Sequence, residues 1–379
     1  MIQRNEQEGS APASQATKFI TLEQPLPMYR GGELADVTLA YETWGEDRGD
    51  NHLVIFTGLS PDAHAASCEE EPAAGWWEAM VGPGKPIDSN RFHVICFNSL
   101  GSCFGSTGPA STNPATGKPW GVDFPLLLIE DVARSANMAL KQMGISRLKA
   151  IVGPSMGGMT ALAYALQFPT EVDHVVSISS ALAAEPYAIA VRSLQRELIR
   201  SDAKWQDGHY PLEEQPVEGM RLARKLGMTS YRSAAEWRER FGRQRIHVDS
   251  GGEQPGHPAF PLNFEVEGYL QATADKFVGD FDANCYQYLS RAMDLFDASE
   301  HGSDPTKLLE GLRLDTALVI GVETDALFPI HQQVQLADAL RQSGVRVKFE
   351  RLPSIQGHDA FLVDMDRFAP TVEEFLAGL

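Results

Sequence analysis

The sequence is short of cysteine, of positive charge and of long apolar runs, and each shortage removes a class of protein. Only four cysteines, Cys68, Cys96, Cys103 and Cys285, stand in 379 residues, and none forms a Cys-x-x-Cys pair. This excludes a disulfide-stapled scaffold and predicts free thiols in a cytoplasmic protein. His-x-x-His and His-Glu-x-x-His are also missing, so the sequence offers no recognisable metal site. Lys and Arg total 32 against 51 Asp and Glu, a formal net charge of -19. Such a field argues against nucleic acid or an anionic membrane surface as a partner, although a local group of arginines can still hold a small anion. No run of 18 apolar residues occurs, and no membrane span is expected. The first 15 residues are polar and carry Glu6 and Glu8, unlike a signal peptide, and residues 1–17 read as a flexible leader.

What remains is ordinary globular composition, 43% hydrophobic and 22% charged, in a chain long enough for one large core with an insertion. Residues 19–26 and 37–44 alternate as an antiparallel start to a sheet. The apolar runs 52–58, which ends in a turn, 92–97, 148–153, 172–179 and 316–321 read as buried parallel strands, and 345–350, with charges at alternate positions, as an edge strand. Helical periodicity at 125–143, 160–167, 331–341 and 368–379 gives the strand-helix alternation of an α/β protein. Residues 185–299 differ: helical stretches at 188–199, 220–226, 234–241, 268–277 and 285–296 carry Arg192, Arg196, Arg200, Arg221 and Arg224. We expect core at 18–184 and 300–379, with 185–299 as a helical lid over the substrate path. The polar stretch 249–257 reads as a loop, and the Trp76-Trp77 pair as packing.

The chemistry is concentrated at Gly153-Pro154-Ser155-Met156-Gly157. A Gly-x-Ser-x-Gly turn between a β-branched run and a helix is a nucleophile elbow, which lifts the serine above the sheet and aims the helix N-terminus at the point where an oxyanion forms. A serine nucleophile of this type is followed in the chain by an acid and then a histidine. Asp325, after the run ending at Gly321, and His358, after the last strand, fill those places. Glu323 competes as the acid, but Asp325 stands nearer the apolar segment Leu327-Phe328-Pro329. Ser155 is then the nucleophile, His358 the general base and Asp325 its orienting acid. The backbone N–H groups of Leu59 and Met156 are expected to form the oxyanion hole. Asp359 is a candidate helix cap or a binder of a substrate ammonium group.

From about residue 22 to 379 the chain resembles the homoserine/serine O-acyltransferase family of α/β-hydrolase-fold enzymes. The likeness rests on Tyr41-Glu42-Thr43-Trp44-Gly45, Gly105-Ser106-Thr107-Gly108-Pro109, Ser155-Met156-Gly157-Gly158-Met159, Tyr231-Arg232-Ser233, Phe281-Asp282-Ala283-Asn284-Cys285-Tyr286 and Gly357-His358-Asp359-Ala360-Phe361. It implies acyl transfer from acyl-CoA, as a co-substrate rather than a bound cofactor, to the hydroxyl of a small amino acid through an acyl-enzyme on Ser155. It also implies the triad Ser155, Asp325 and His358, contact of Arg224 with the amino-acid carboxylate with Tyr231 nearby, contact of Asp359 with the ammonium group, and a homodimer packed through the lids.

Within the family the chain looks most like the serine O-succinyltransferases of cysteine biosynthesis, through Gly58-Leu59-Ser60-Pro61-Asp62-Ala63-His64, Asn98-Ser99-Leu100-Gly101 and the helical stretches around Arg192 and Arg224. Homoserine O-acetylation or O-succinylation in methionine biosynthesis is the alternative, followed by small-ester hydrolysis and an inactive binding protein. A succinyl carboxylate needs a donor, with Arg192, Arg196 and Arg221 as candidates. Phe104 is aromatic where succinyl-transferring relatives often carry arginine or another polar residue, and would wall a smaller pocket for an acetyl donor.

Overall fold

A computed structural model describes residues 14–247, 256, 257, 259–301, 309 and 311–379. Most of the expected leader and of the 249–257 loop lie outside these residues. The apolar runs form one eight-stranded sheet, with strands β1 (Lys18–Thr21), β2 (Thr38–Trp44), β3 (His52–Phe56), β4 (His93–Phe97), β5 (Leu148–Pro154), β6 (Val172–Ile178), β7 (Thr316–Val322) and β8 (Arg346–Leu352). Their spatial order is β1-β2-β4-β3-β5-β6-β7-β8. β1 pairs with β2, and β2 with β4, antiparallel, as the alternation at the chain start predicts. All later pairings are parallel. β8 lies at an edge, where its alternating charges keep the exposed side polar. Residues 19–26 do not make one strand: β1 ends at Thr21, the Leu22 N–H still donates to the Val37 carbonyl at 2.8 Å, and Leu26 and Pro27 pair instead with Leu34 and Glu33.

Parallel neighbours need crossovers, and helices supply them except between β3 and β4, where residues 57–92 form no helix. α1 (Ile129–Gln142) leads to β5, α2 (Met156–Gln167) joins β5 to β6, and α3 (Pro186–Ser201), α4 (Val217–Tyr231), α5 (Ala234–Phe241), α6 (Glu265–Phe277) and α7 (Ala283–Leu295) fill the interval before β7. α8 (Ile330–Gln342), α9 (Ala360–Val363) and α10 (Met365–Ala377) complete the order. α3 starts at Pro186, earlier than its apolar period, because proline with its fixed φ is well suited to a first helical turn. Strand alternation sorts side chains to two cores: Val54, Phe56 and Ile151 pack on the face covered by α1, α2 and α8. Leu53, Ile55, Ala150 and Val152 pack on the other with Phe368, Val372 and Leu376 of α10. Each such large side chain contributes about 1.5–3 kcal/mol on full burial, so the centre of the sheet is the stiff part of the molecule. Trp77 belongs to the second core, with Trp76 stacked against it at 5.1 Å.

Candidate active site

Ser155 joins the end of β5 to the start of α2 with φ 55° and ψ -121°, a left-handed conformation rare for a residue with a side chain. The glycines on either side make this turn possible through space rather than through φ. A Cβ on Gly153 would lie 2.1 Å from the Gly157 carbonyl oxygen, and one on Gly157 would lie 2.1 Å from the carbonyl oxygen of Phe56 in β3. The Ser155 N–H donates to the Ile178 carbonyl at 2.8 Å, which ties the elbow to β6. The unpaired N–H groups of the α2 N-terminus gather beside Ser155. The backbone amides of Leu59 and Met156 donate to no acceptor among the described residues, and Leu59 lines the cleft above Ser155.

Asp325 and His358 follow the ends of β7 and β8, as chain order predicts, and the structure brings them to Ser155. The Ser155 hydroxyl donates to His358 Nε2 at 2.9 Å, and His358 Nδ1–H donates to Asp325 Oδ2 at 2.8 Å. The other Asp325 oxygen accepts the N–H groups of Leu327 and Phe328, both at 2.9 Å, so the carboxylate is fixed by its own loop. Glu323 points elsewhere and pairs with Arg351 at 3.0 Å. The His358 ring stacks on Phe328 at 5.2 Å and meets the edge of Phe361 at 5.6 Å. Burial alone would lower the His358 pKa, but the adjacent Asp325 charge and hydrogen bond outweigh it and hold the imidazole above its ordinary value. Burial raises the Asp359 carboxyl against the opposing pull of Arg232.

Above the triad is an open cleft of about 880 Å³, including solvent at its mouth. Its floor is Gly58 to Pro61, Ser155 and His358; its roof is Arg192 and Gln195 of α3, Arg224, Ser230 and Tyr231 of α4, and Tyr286 and Met293 of α7. Arg224 lies over the rings of Phe277 at 4.2 Å and Tyr231 at 5.7 Å, and its buried Nε has no hydrogen-bond partner. Arg192, 5% exposed, binds Asp294 through Nε at 2.6 Å, while its Nη2 is buried and unpartnered. Asp359 lines the cleft and pairs with Arg232 Nε at 3.1 Å.

A family model described as the alpha/beta hydrolase fold matches residues 51–364. The chain belongs to the alpha/beta hydrolase fold family. Among relatives in this family, a serine O-succinyltransferase of Litchfieldella anticariensis is 55% identical over 366 residues, covering 96% of this chain and 98% of that protein. Of solved structures, a homoserine O-acetyltransferase from Bacillus anthracis superposes with a TM-score of 0.86 at 29% identity, covering 95% of this chain and 97% of that one. An esterase does so with a TM-score of 0.84 at 26% identity, covering 95% and 99%.

Three sequence expectations need revision against this family geometry. Phe104 is not a wall of the cleft: it packs edge-on against Phe281 at 5.5 Å in the core. Arg221 faces away and pairs with Glu218 and Asp275, and Arg196 is held by Asp294 at 2.7 Å without lining the cleft. Asp47, His52 and His93 also bring donor atoms within 4.8 Å of one another, a grouping that linear motifs do not reveal. Two contributors were missed. Arg232 sits in the recognised Tyr231-Arg232-Ser233 stretch yet received no role, and His64 anchors the loop after Leu59 through Glu42 at 2.8 Å and the Ala73 carbonyl at 2.9 Å. A charged residue beside a recognised motif and a histidine in the loop after β3 were the available signals.

Proposed function

We propose that this chain is a serine O-succinyltransferase, moving a succinyl group from succinyl-CoA to the hydroxyl of L-serine through an acyl-enzyme on Ser155. The observation that carries the reading is that two arginines lining the cleft over a complete Ser-His-Asp arrangement each keep a buried, unpartnered guanidinium nitrogen, Arg192 Nη2 and Arg224 Nε. Buried cationic donors are stabilised by anions, and this reaction brings two carboxylates, one on each substrate. The named relative at 55% identity over nearly both chains supports the same assignment.

In this mechanism Ser155 Oγ attacks the thioester carbonyl as its proton passes to His358 Nε2. The N–H groups of Leu59 and Met156 receive the oxyanion. The C–S bond breaks, His358 protonates the departing CoA sulfur, and a succinyl ester remains on Ser155. The L-serine hydroxyl then gives its proton to His358 and attacks the ester, and Ser155 leaves with that proton. Arg224 holds the L-serine carboxylate, with Tyr231 beside it, Asp359 meets the ammonium group, and Arg192 takes the distal succinyl carboxylate.

Helices α3–α7 act as the lid. Leu194 of α3 and Leu222 of α4 are exposed apolar side chains and support a homodimer packed through that layer. Free thiols at all four cysteines support a cytoplasmic location. No described helix is long and apolar enough to cross a membrane.

Homoserine acetylation is the second reading, favoured by the Bacillus anthracis structure. It leaves Arg192 Nη2 without an anion. CoA release measured with succinyl-CoA and acetyl-CoA against L-serine and L-homoserine, with products identified by mass, separates the two. The proposal expects succinyl-CoA with L-serine to be preferred and Ser155→Ala to abolish release; equal release with no amino acid present would instead mark a thioesterase.

A further inference from the structure

At the N-terminal end of two central strands, opposite the elbow, three side chains converge that the transfer chemistry does not use. His52 and His93 are the first residues of β3 and β4 and stand in register on these parallel neighbours. Ser155 follows the other end of the adjacent β5, a seven-residue strand in which Ala150 is level with Leu53, and so lies about 20 Å along the sheet from His52. The imidazole centroids lie 5.5 Å apart at 68°. Asp47, on the turn entering β3, places Oδ1 3.0 Å from His52 Nε2. One donor atom each from Asp47, His52 and His93 falls within 4.8 Å of the other two.

The bonding around these atoms is unusual for a plain ion pair. His52 is 3% exposed, yet neither ring nitrogen makes a hydrogen bond, and His93 Nδ1 is likewise buried without a partner. Asp47 Oδ1 approaches His52 Nε2 as an ion pair, and the remaining buried nitrogens, His52 Nδ1 and His93 Nδ1, have no partner. Buried imidazole nitrogens with nothing to bind carry a desolvation penalty that a shared ligand would remove. The carboxylate is already oriented, because Asp47 Oδ1 accepts the Gly49 N–H at 2.8 Å, an outer contact of the kind that orients metal ligands. Lys18, the cation near His93, is engaged with the Thr43 hydroxyl at 2.8 Å.

We propose that Asp47, His52 and His93 bind a divalent zinc ion, with water as the fourth ligand. Two imidazoles and one carboxylate form a zinc-type donor set. Tetrahedral zinc with bonds of about 2.0–2.1 Å places ligand atoms about 3.4 Å apart, so the widest separations, up to 4.8 Å, must tighten by as much as about 1.4 Å, while Asp47 and His52 at 3.0 Å are already close enough. Asp47, on its exposed turn, and His93, only half-buried, have the freedom to do so. The ion would pin the turn at 46–50 to the start of two central strands, remote from Ser155.

The test uses the full chain freed of metal with EDTA. Zinc uptake is measured by equilibrium dialysis near neutral pH, Co²⁺ substitution by its visible spectrum, and melting temperature with and without zinc. The expected result is one tight equivalent per chain, a tetrahedral cobalt spectrum and a higher melting temperature with zinc. Asp47→Asn, which keeps the acceptor for Gly49, and His93→Gln should each weaken uptake by about tenfold or more. No stoichiometric uptake by the unaltered protein, or uptake unchanged in both variants, would overturn the proposal.

Discussion

Replacing Arg192 with methionine tests the donor assignment at a single atom. Methionine keeps an apolar stem of similar length but removes the guanidinium. Asp294 would lose its 2.6 Å contact to Arg192 Nε but keep Arg196 at 2.7 Å, so its buried carboxylate retains one cation. The catalytic loss then concerns Nη2, the buried and unpartnered nitrogen of this cleft-lining arginine. A hydrogen bond between charged groups contributes about 1.5–3 kcal/mol, equivalent to roughly 13-fold to 160-fold in rate. Succinyl-CoA should lose that factor in kcat/KM, whereas acetyl-CoA, with no distal carboxylate, should lose little. The ratio of the two kcat/KM values on one enzyme sample is the assay, because any loss of folded protein cancels in it. A parallel fall for both donors would refute the reasoning and leave Arg192 as a scaffold for Asp294 alone.

The proton-transfer pair gives a second expectation. His358 must be neutral to act as base, and its pKa lies above 6.5, so kcat/KM should fall with acid through a point above that value. Asp325→Asn should reduce kcat by a factor on the order of 10⁴, as in other serine triads, and shift the remaining acid limb to lower pH. A pH profile for the unaltered enzyme with its limb at or below 6.5 would contradict the ion-pair account. At Gly357, φ is 68° and an added Cβ would stand 2.6 Å from the Tyr231 carbonyl oxygen and 2.9 Å from the Ser233 nitrogen. Gly357→Ala should lower stability by about 1–3 kcal/mol and displace His358 enough to cut kcat/KM by about 100-fold; melting curves and kinetics check both, and a fully active variant would refute the close-packing argument.

The elbow was legible in the sequence because its constraints are local. Gly153 and Gly157 exclude side chains for contacts within one turn and its neighbouring strand, and such contacts leave a short fixed pattern. Asp325 and His358 were legible for a different reason: the order of catalytic groups follows the order of strand ends. The arginines were not separable from sequence, since Arg192 and Arg196 sit one helical turn apart and both reach Asp294 of α7. Which of them retains a free donor in the cleft depends on that distant helix. Phe104 was misplaced for the same reason, its partner Phe281 being far along the chain. His52 and His93 meet only through strand register, a relation that no linear motif carries.

The chain order of the triad also bears on how the protein is made. Ser155 comes first, helices α3–α7 next, then Asp325, and His358 after them. During synthesis from the N-terminus, the elbow is therefore complete long before the imidazole that activates it exists. By the time His358 emerges, the helices that roof the cleft have already been synthesised. A partly made chain thus carries an ordinary alcohol rather than an unguarded nucleophile, and cellular thioesters meet the reactive serine only when its roof is available to fold over it.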